Sequence, residues 1–187
     1  MIFAETPRLF LRALEKTDLP ILTELIGDWD VCKWLLVVPH PYHLKNAEEF
    51  YVEMSKSYQK KTPQFFVVAN KSDGQLMGGV GVHPPRTSDP KSGEVFIGYW
   101  LGKPYWGQGF MSETLKTVLA LIFKRPDVEL VIAMTDPANH VSKNILQKAG
   151  LKYLGIFPRT EPGLRGGPEV TRWELTRKEY ENSASSS

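Results

Sequence analysis

The chain has one cysteine in 187 residues, Cys32. That excludes an intramolecular disulfide and suits a reducing compartment. No apolar run approaches the ~20 residues of a membrane-spanning helix. The opening Met1-Ile2-Phe3-Ala4-Glu5 lacks the basic-then-apolar build of a secretory signal, so a cytoplasmic location is expected. Neither sign of charge dominates: 23 Lys and Arg against 21 Asp and Glu leave a formal net charge of +2. With the basic residues forming no run, a nucleic-acid surface is not expected. His40 and His43 lie close together but lack the cysteine or acidic partners of a metal pair, so no metal is expected. No repeat or linker divides the chain. It reads as one domain over residues 1–181, followed by a polar tail, 182–187, expected to be disordered. Nothing in the sequence fixes the oligomeric state.

What is present is a regular alternation of apolar patterns. Strands are expected at Arg8 to Leu14, Gln64 to Ala69, Leu76 to Val82, Glu94 to Leu101, Glu129 to Met134, Lys152 to Pro158 and Val170 to Leu175. Four helices are expected between them. The first is capped by Thr17 or Asp18, the second by Asn46; the third opens at Gly107, and the fourth runs from His140 to Lys148 and is closed by Gly150. Trp29 to Lys45 reads as irregular, and Pro84 to Gly93 and Arg159 to Pro168 as loops. Strands interrupted by helices imply a mixed α/β sheet.

The stretch from Ile97 to Glu113 carries the most chemistry. An apolar strand, Ile97-Gly98-Tyr99-Trp100-Leu101, is broken by Lys103 and Pro104. The chain then enters a helix through Gly107-Gln108-Gly109. Glycines at a helix start leave backbone N–H groups pointing at one spot, which is an anion site. A nucleotide-triphosphatase loop would need Gly-Lys-Ser/Thr, but Phe110 and Met111 follow Gly109. A dinucleotide fold would need a third glycine where Ser112 stands, and an acid about twenty positions on. Acetyl-coenzyme A is the third reading.

With these residues in view, the chain resembles the GNAT superfamily of N-acetyltransferases, and within it the branch that acetylates N-terminal amines of ribosomal proteins. The resemblance rests on Glu5-Thr6-Pro7-Arg8-Leu9-Phe10-Leu11-Arg12, Ile97 to Leu101, Trp106-Gly107-Gln108-Gly109, Asn139-x-x-Ser142 and Leu146-x-Lys148-x-Gly150. It implies a mixed, largely antiparallel sheet of six to seven strands with a central splay, flanked by about four helices. It also implies acetyl-coenzyme A as cosubstrate. The backbone of Tyr99, Trp100 and Leu101 would meet the pantetheine arm and the thioester, and that of Gly107, Gln108, Gly109, Phe110 and Met111 the pyrophosphate. Asn139 and Ser142 would meet the arm. Asn139 also reads as a plain helix cap, and Ser142 as a solvent-facing serine.

The acceptor implied is a primary amine, either a peptide N-terminus or a small molecule. At pH 7.4 a neutral α-amine costs roughly 0.5 kcal/mol and a neutral lysine about 4, so an α-amine needs only a modest base. Many relatives carry glutamate two residues before the central glycine, where this chain has Phe96. Glu94, on the same strand face, and His83, ending a strand, are therefore the candidate bases. A tyrosine acid of many relatives is replaced by Leu146. The loss of glutamate at position 96 leaves a second reading open, a non-catalytic acyl-coenzyme A-binding sensor or scaffold.

Overall fold

A computed structural model of the chain describes residues 1–60, 62–84, 93–159 and 165–184. A hairpin of two short strands, β1 (Ile2–Glu5) and β2 (Leu9–Arg12), opens the chain. Next come α1 (Leu19–Gly27), a single turn α2 (Trp29–Cys32) and α3 (Leu44–Gln59). β3 (Phe65–Asn70), β4 (Leu76–His83) and β5 (Glu94–Leu101) follow. Beyond a 3-10 turn at Lys103–Tyr105 lie α4 (Phe110–Phe123), β6 (Leu130–Thr135), α5 (His140–Lys148), β7 (Lys152–Pro158), β8 (Glu169–Thr176) and α6 (Arg177–Ala184). All eight strands join one sheet in the order β1-β2-β3-β4-β5-β6-β8-β7. Only β5 and β6 run parallel; the other neighbours are antiparallel.

The expected mixed, largely antiparallel sheet is present, with eight strands instead of six or seven. The addition is β1, whose four residues are too few to show a period. Its Phe3 packs edge-to-face on Phe66 at 5.2 Å. Two helices were also not expected, α2 and α6. The latter carries the chain in helical form through Ala184, so the expected tail begins inside a helix; residues 185–187 lie outside those described. The second expected helix, α3, begins three residues early, with His43 and not Asn46 as its N-cap. Asn46 is its third residue, and its Oδ1 accepts from the His43 N–H at 2.9 Å, closing a capping box from inside.

The two faces of the sheet bury different residues because strand side chains alternate. On one face, Met111, Leu115, Val118 and Leu119 of α4 cover Val95, Ile97, Val131 and Ala133. On the other, Leu22 and Leu25 of α1 and Met54 of α3 cover Val67, Leu76 and Trp100. Each such side chain stabilises the fold by roughly 1.5–3 kcal/mol relative to exposure. Helices on both faces thus hold β5 at the centre.

That centre is where the sheet opens. The β5–β6 ladder has four residue pairs, from Glu94↔Leu130 to Ile97↔Ala133. β5 continues to Leu101 and β6 to Thr135, so the strands part at Gly98.

Candidate active site

The register of β4 against β5 fixes which backbone groups face this gap. Gly102 donates to the Met77 carbonyl at 2.8 Å, and Trp100 and Gly98 oppose Gly79 and Gly81. Alternation then directs the N–H and C=O of Trp100 and Gly98 at β4, and those of Tyr99 and Leu101 into the gap. The Leu101 carbonyl is taken by the Trp106 indole N–H at 2.6 Å. Of the three expected backbone contacts, only Tyr99 and Leu101 therefore offer an N–H there. Trp100 does not: its backbone pairs with Gly79, and its indole is 8 % exposed in the core beneath α1.

Gly107 and Gly109 adopt the left-handed conformation, at φ 74° and 79°. That region is costly for any residue with a Cβ, so the glycines are a geometric requirement of this turn. Gly109 is the N-cap of α4, supplies no side-chain cap, and takes the first helical bond from the Glu113 N–H at 3.1 Å. The N–H groups of Phe110, Met111 and Ser112 thus have no acceptor within the helix. The side chains beside them point elsewhere. Met111 is buried in the core, and Phe110 packs at its edge under the Arg8 guanidinium, 4.4 Å from the ring centre.

Across the gap, the start of α5 is tied to β5. The Tyr99 hydroxyl lies 2.8 Å from the Ser142 Oγ and donates to the Ser142 carbonyl at 3.2 Å. Asn139 is the N-cap of α5, its Oδ1 accepting from the Ser142 N–H at 3.0 Å. Ser142 is buried and does not face solvent. Burial pushes the Tyr99 phenol well above the usual tyrosine range, against the smaller opposing effect of its Ser142 hydrogen bond. Tyr99, Asn139 and Ser142 therefore form one network on the α4–α5 side of the gap, and Leu146 is buried behind them.

The opposite face of the gap is cut from glycine. Gly81 and Gly98 oppose each other across β4 and β5, and His83 opposes Phe96 on the same face. A Cβ on Gly81 would come within 2.5 Å of the His83 Nε2, so the imidazole lies back over Gly81, beside Gly98. No described atom lies within 4 Å of where a Gly98 Cβ would stand. Glu94 shares the face but pairs with Leu130 in the closed part of the ladder, roughly 13 Å along the strand from Gly98. The structure thus brings His83 to the gap and leaves Glu94 outside it.

A bridge joins the segment after α1 to the loop before β8. Arg165 donates its N–H to the Leu36 carbonyl at 3.1 Å and its Nη1 to the Cys32 carbonyl at 3.0 Å. Its guanidinium also lies 5.2 Å from the centre of Trp29, which packs against His40 at 4.9 Å. Tyr42, next to Gly27, has its phenol pushed up to about 12 by burial. Most of the loop from Pro84 to Gly93, and residues 160–164, lie outside those described. Three residues at the site carry no site role in the sequence reading: Arg8 and Trp106, which stand there only within the motifs of the resemblance, and Gly81. Arg8 reaches the helix start across 105 positions, a separation that no local pattern announces.

An acetyltransferase (GNAT) domain family matches residues 8–152. The chain is 24% identical over 175 residues to an uncharacterized N-acetyltransferase, p20, of Bacillus licheniformis, covering 94% of this chain and 96% of that protein. Among solved structures it resembles a GNAT-family acetyltransferase from Bacillus anthracis, with a TM-score of 0.78 at 21% identity, covering 95% of this chain and 98% of that one. It also resembles a ribosomal L7/L12 alpha-N-protein acetyltransferase in complex with coenzyme A, with a TM-score of 0.76 at 18% identity, covering 94% and 98%. At these identities the structural likeness is one of fold.

Proposed function

The chain belongs to the acetyltransferase (GNAT) domain family, and from that premise we propose that it moves an acetyl group from acetyl-coenzyme A to a primary amine, by direct attack in a ternary complex. The acceptor is a peptide N-terminus or a small-molecule amine. The observation that carries this reading is the gap beyond Ile97 and Ala133, with Tyr99 and Leu101 N–H groups opening into it and uncapped helix N–H groups at its outer end. Backbone donors at an unpaired strand suit an amide-bearing arm, as in strand addition. The N–H groups of Phe110, Met111 and Ser112 suit a pyrophosphate, at about 1.5–3 kcal/mol per charge-assisted bond.

Acetyl-coenzyme A would supply the activated thioester. The amine nitrogen attacks its carbonyl carbon, the carbon–sulfur bond breaks, and the sulfur leaves as thiolate. The Tyr99 N–H polarises the carbonyl oxygen as charge develops on it. His83 Nε2, lying over Gly81, takes the proton from the amine on the acceptor face. Glu94 is the weaker candidate on distance along the strand. Asn139 and Ser142 hold Tyr99 and the start of α5 in register along the arm.

A thiol-release assay across amines and short peptides tests this. Acceptor-dependent release is expected, with His83→Gln lowering kcat about 10²-fold or more. Gly81→Ala, which unseats the imidazole without deleting it, should lose activity similarly. Gly109→Val should weaken coenzyme A binding at least ~10-fold through backbone strain at the loop. If coenzyme A binds by calorimetry yet no acceptor stimulates release, catalysis is wrong and a non-catalytic acyl-coenzyme A-binding protein is left.

A further inference from the structure

The first turn of α4 carries a charge that ought to work against an anion. Glu113 is the fourth residue of the helix, next to the uncapped N–H groups. An acid in the first turn ordinarily suits the helix dipole. Here it would repel a pyrophosphate bound at the same end. The carboxylate is, however, fully engaged. Its Oε2 accepts from the Arg8 Nε at 2.8 Å and lies 2.6 Å from the Arg8 Nη2, while its Oε1 accepts from the Arg8 backbone N–H at 3.3 Å. Burial pushes the Glu113 carboxyl up, but bonds from Thr6 and Arg8 outweigh it, and the group titrates below the usual carboxylate range.

Arg8 does a second thing that a simple ion pair would not require. Its Nη1 donates to the carbonyl of Gln108 at 2.9 Å. In a trans peptide the carbonyl and the following N–H point in opposite directions. Drawing the Gln108 oxygen towards Arg8 therefore turns the Gly109 N–H away from it, towards the side where the anion would sit. The guanidinium also covers the Phe110 ring and lies 3.7 Å from where a Gly109 Cβ would stand. Its mount is firm. Lys71 donates to the Arg8 carbonyl at 2.9 Å, and the next residue, Leu9, is fully buried.

We propose that Arg8 is a positioning residue for the cofactor: it cancels the charge of Glu113 and orients the Gln108–Gly109 peptide, so that the start of α4 accepts the pyrophosphate. The inference rests on the reading of that loop as the pyrophosphate site. Arg8 touches neither the acetyl group nor the amine. Its effect is confined to cofactors that carry a pyrophosphate.

The test uses the full chain with Arg8→Gln, Glu113→Gln and the double variant. Coenzyme A affinity is read by calorimetry, and turnover with acetyl-coenzyme A is compared with turnover of S-acetylpantetheine, which lacks the pyrophosphate. Arg8→Gln should raise the coenzyme A Kd and the acetyl-coenzyme A KM about 10-fold or more, leave kcat within about 2-fold, and leave S-acetylpantetheine kinetics unchanged. Adding Glu113→Gln should return part of the lost affinity, at least about 3-fold, because the bare carboxylate is gone while the Gln108 carbonyl still lacks its Arg8 donor. Should Arg8→Gln not fold, Arg8→Lys serves: it keeps the charge but cannot serve Glu113 and Gln108 together, and should give a smaller KM rise with kcat kept. A Kd unchanged in Arg8→Gln, an equal loss with S-acetylpantetheine, or no recovery in the double variant would overturn the proposal. Parent protein that binds coenzyme A no better than Gly109→Val overturns the loop reading itself, and this inference with it.

Discussion

Gly79 and Gly98 stand on the same face of the sheet, on β4 and β5, yet a side chain at each would meet different surroundings. A Cβ at Gly79 would collide with the ring of Phe65, which is held edge-to-face by Phe50 at 5.0 Å. Gly79→Ala should therefore cost about 1–3 kcal/mol in urea unfolding, the usual range for overpacking. At Gly98 no described atom lies within 4 Å of the corresponding position. Gly98→Val should leave stability within about 1 kcal/mol but project a side chain into the acceptor face, lowering acetyl transfer at least ~10-fold. Equal stability losses at the two sites would contradict the open gap. By local pattern these two glycines look alike, both interrupting apolar strands, and only the family resemblance marks Gly98 as the central glycine. What separates them is which neighbours the register of β3, β4 and β5 sets beside them.

Helix starts give the corresponding lesson for elements. α6 begins with a capping box in which Glu179 Oε2 accepts from the Thr176 N–H at 3.0 Å and hydroxyl at 2.8 Å. That Thr-x-x-Glu signal is legible in Thr176-Arg177-Lys178-Glu179, although the segment was expected only as the domain's end. The same carboxylate pairs with Lys152 of β7 at 2.5 Å, which no spacing could have shown. Lys152 first, and then Thr176, hold the Glu179 pKa at about 2 against an ordinary 4.5. A carboxyl depressed on folding contributes above its unfolded pKa and loses that contribution as pH falls through the folded one. The parent protein should then lose more stability than Glu179→Gln between pH 4.5 and about 2, the two converging at the acid end. Because the side chain is 31% exposed, the difference near neutrality should be about 1 kcal/mol or less. Denaturant midpoints at stepped pH measure it, and a constant offset down to the acid end would rule out the ion pair and cap as its source.

Over the whole molecule, β1–β5 join β6–β8 through the four-pair ladder of β5 and β6, and the gap lies along the same seam. Coenzyme A bound there should stabilise both halves together. At 100-fold excess over Kd the linkage is worth about 2.7 kcal/mol, which for a chain of this size is roughly 5–10 °C in melting temperature. Gly109→Val, binding at least ~10-fold more weakly, should forfeit about half of that shift or more, as read by scanning calorimetry. An unshifted parent would remove coenzyme A from the account. No helix among the described residues is long and apolar enough to cross a membrane.

The sequence by itself determined seven of the eight described strands, the four helices α1, α3, α4 and α5, and the glycine start of α4. Each depends on periods and caps that act over a few residues, and local patterns record those. The family resemblance, carried by motifs in chain order, supplied the topology and the cosubstrate. Only the tertiary structure decided where the sheet parts, that Tyr99 and Leu101 but not Trp100 face the gap, that His83 and not Glu94 stands beside it, and that Arg8 bonds to a loop 100 residues away. Those outcomes depend on strand register and on contacts between distant segments. A shift of one residue would reverse every one of the backbone assignments, and nothing local in the chain fixes that register.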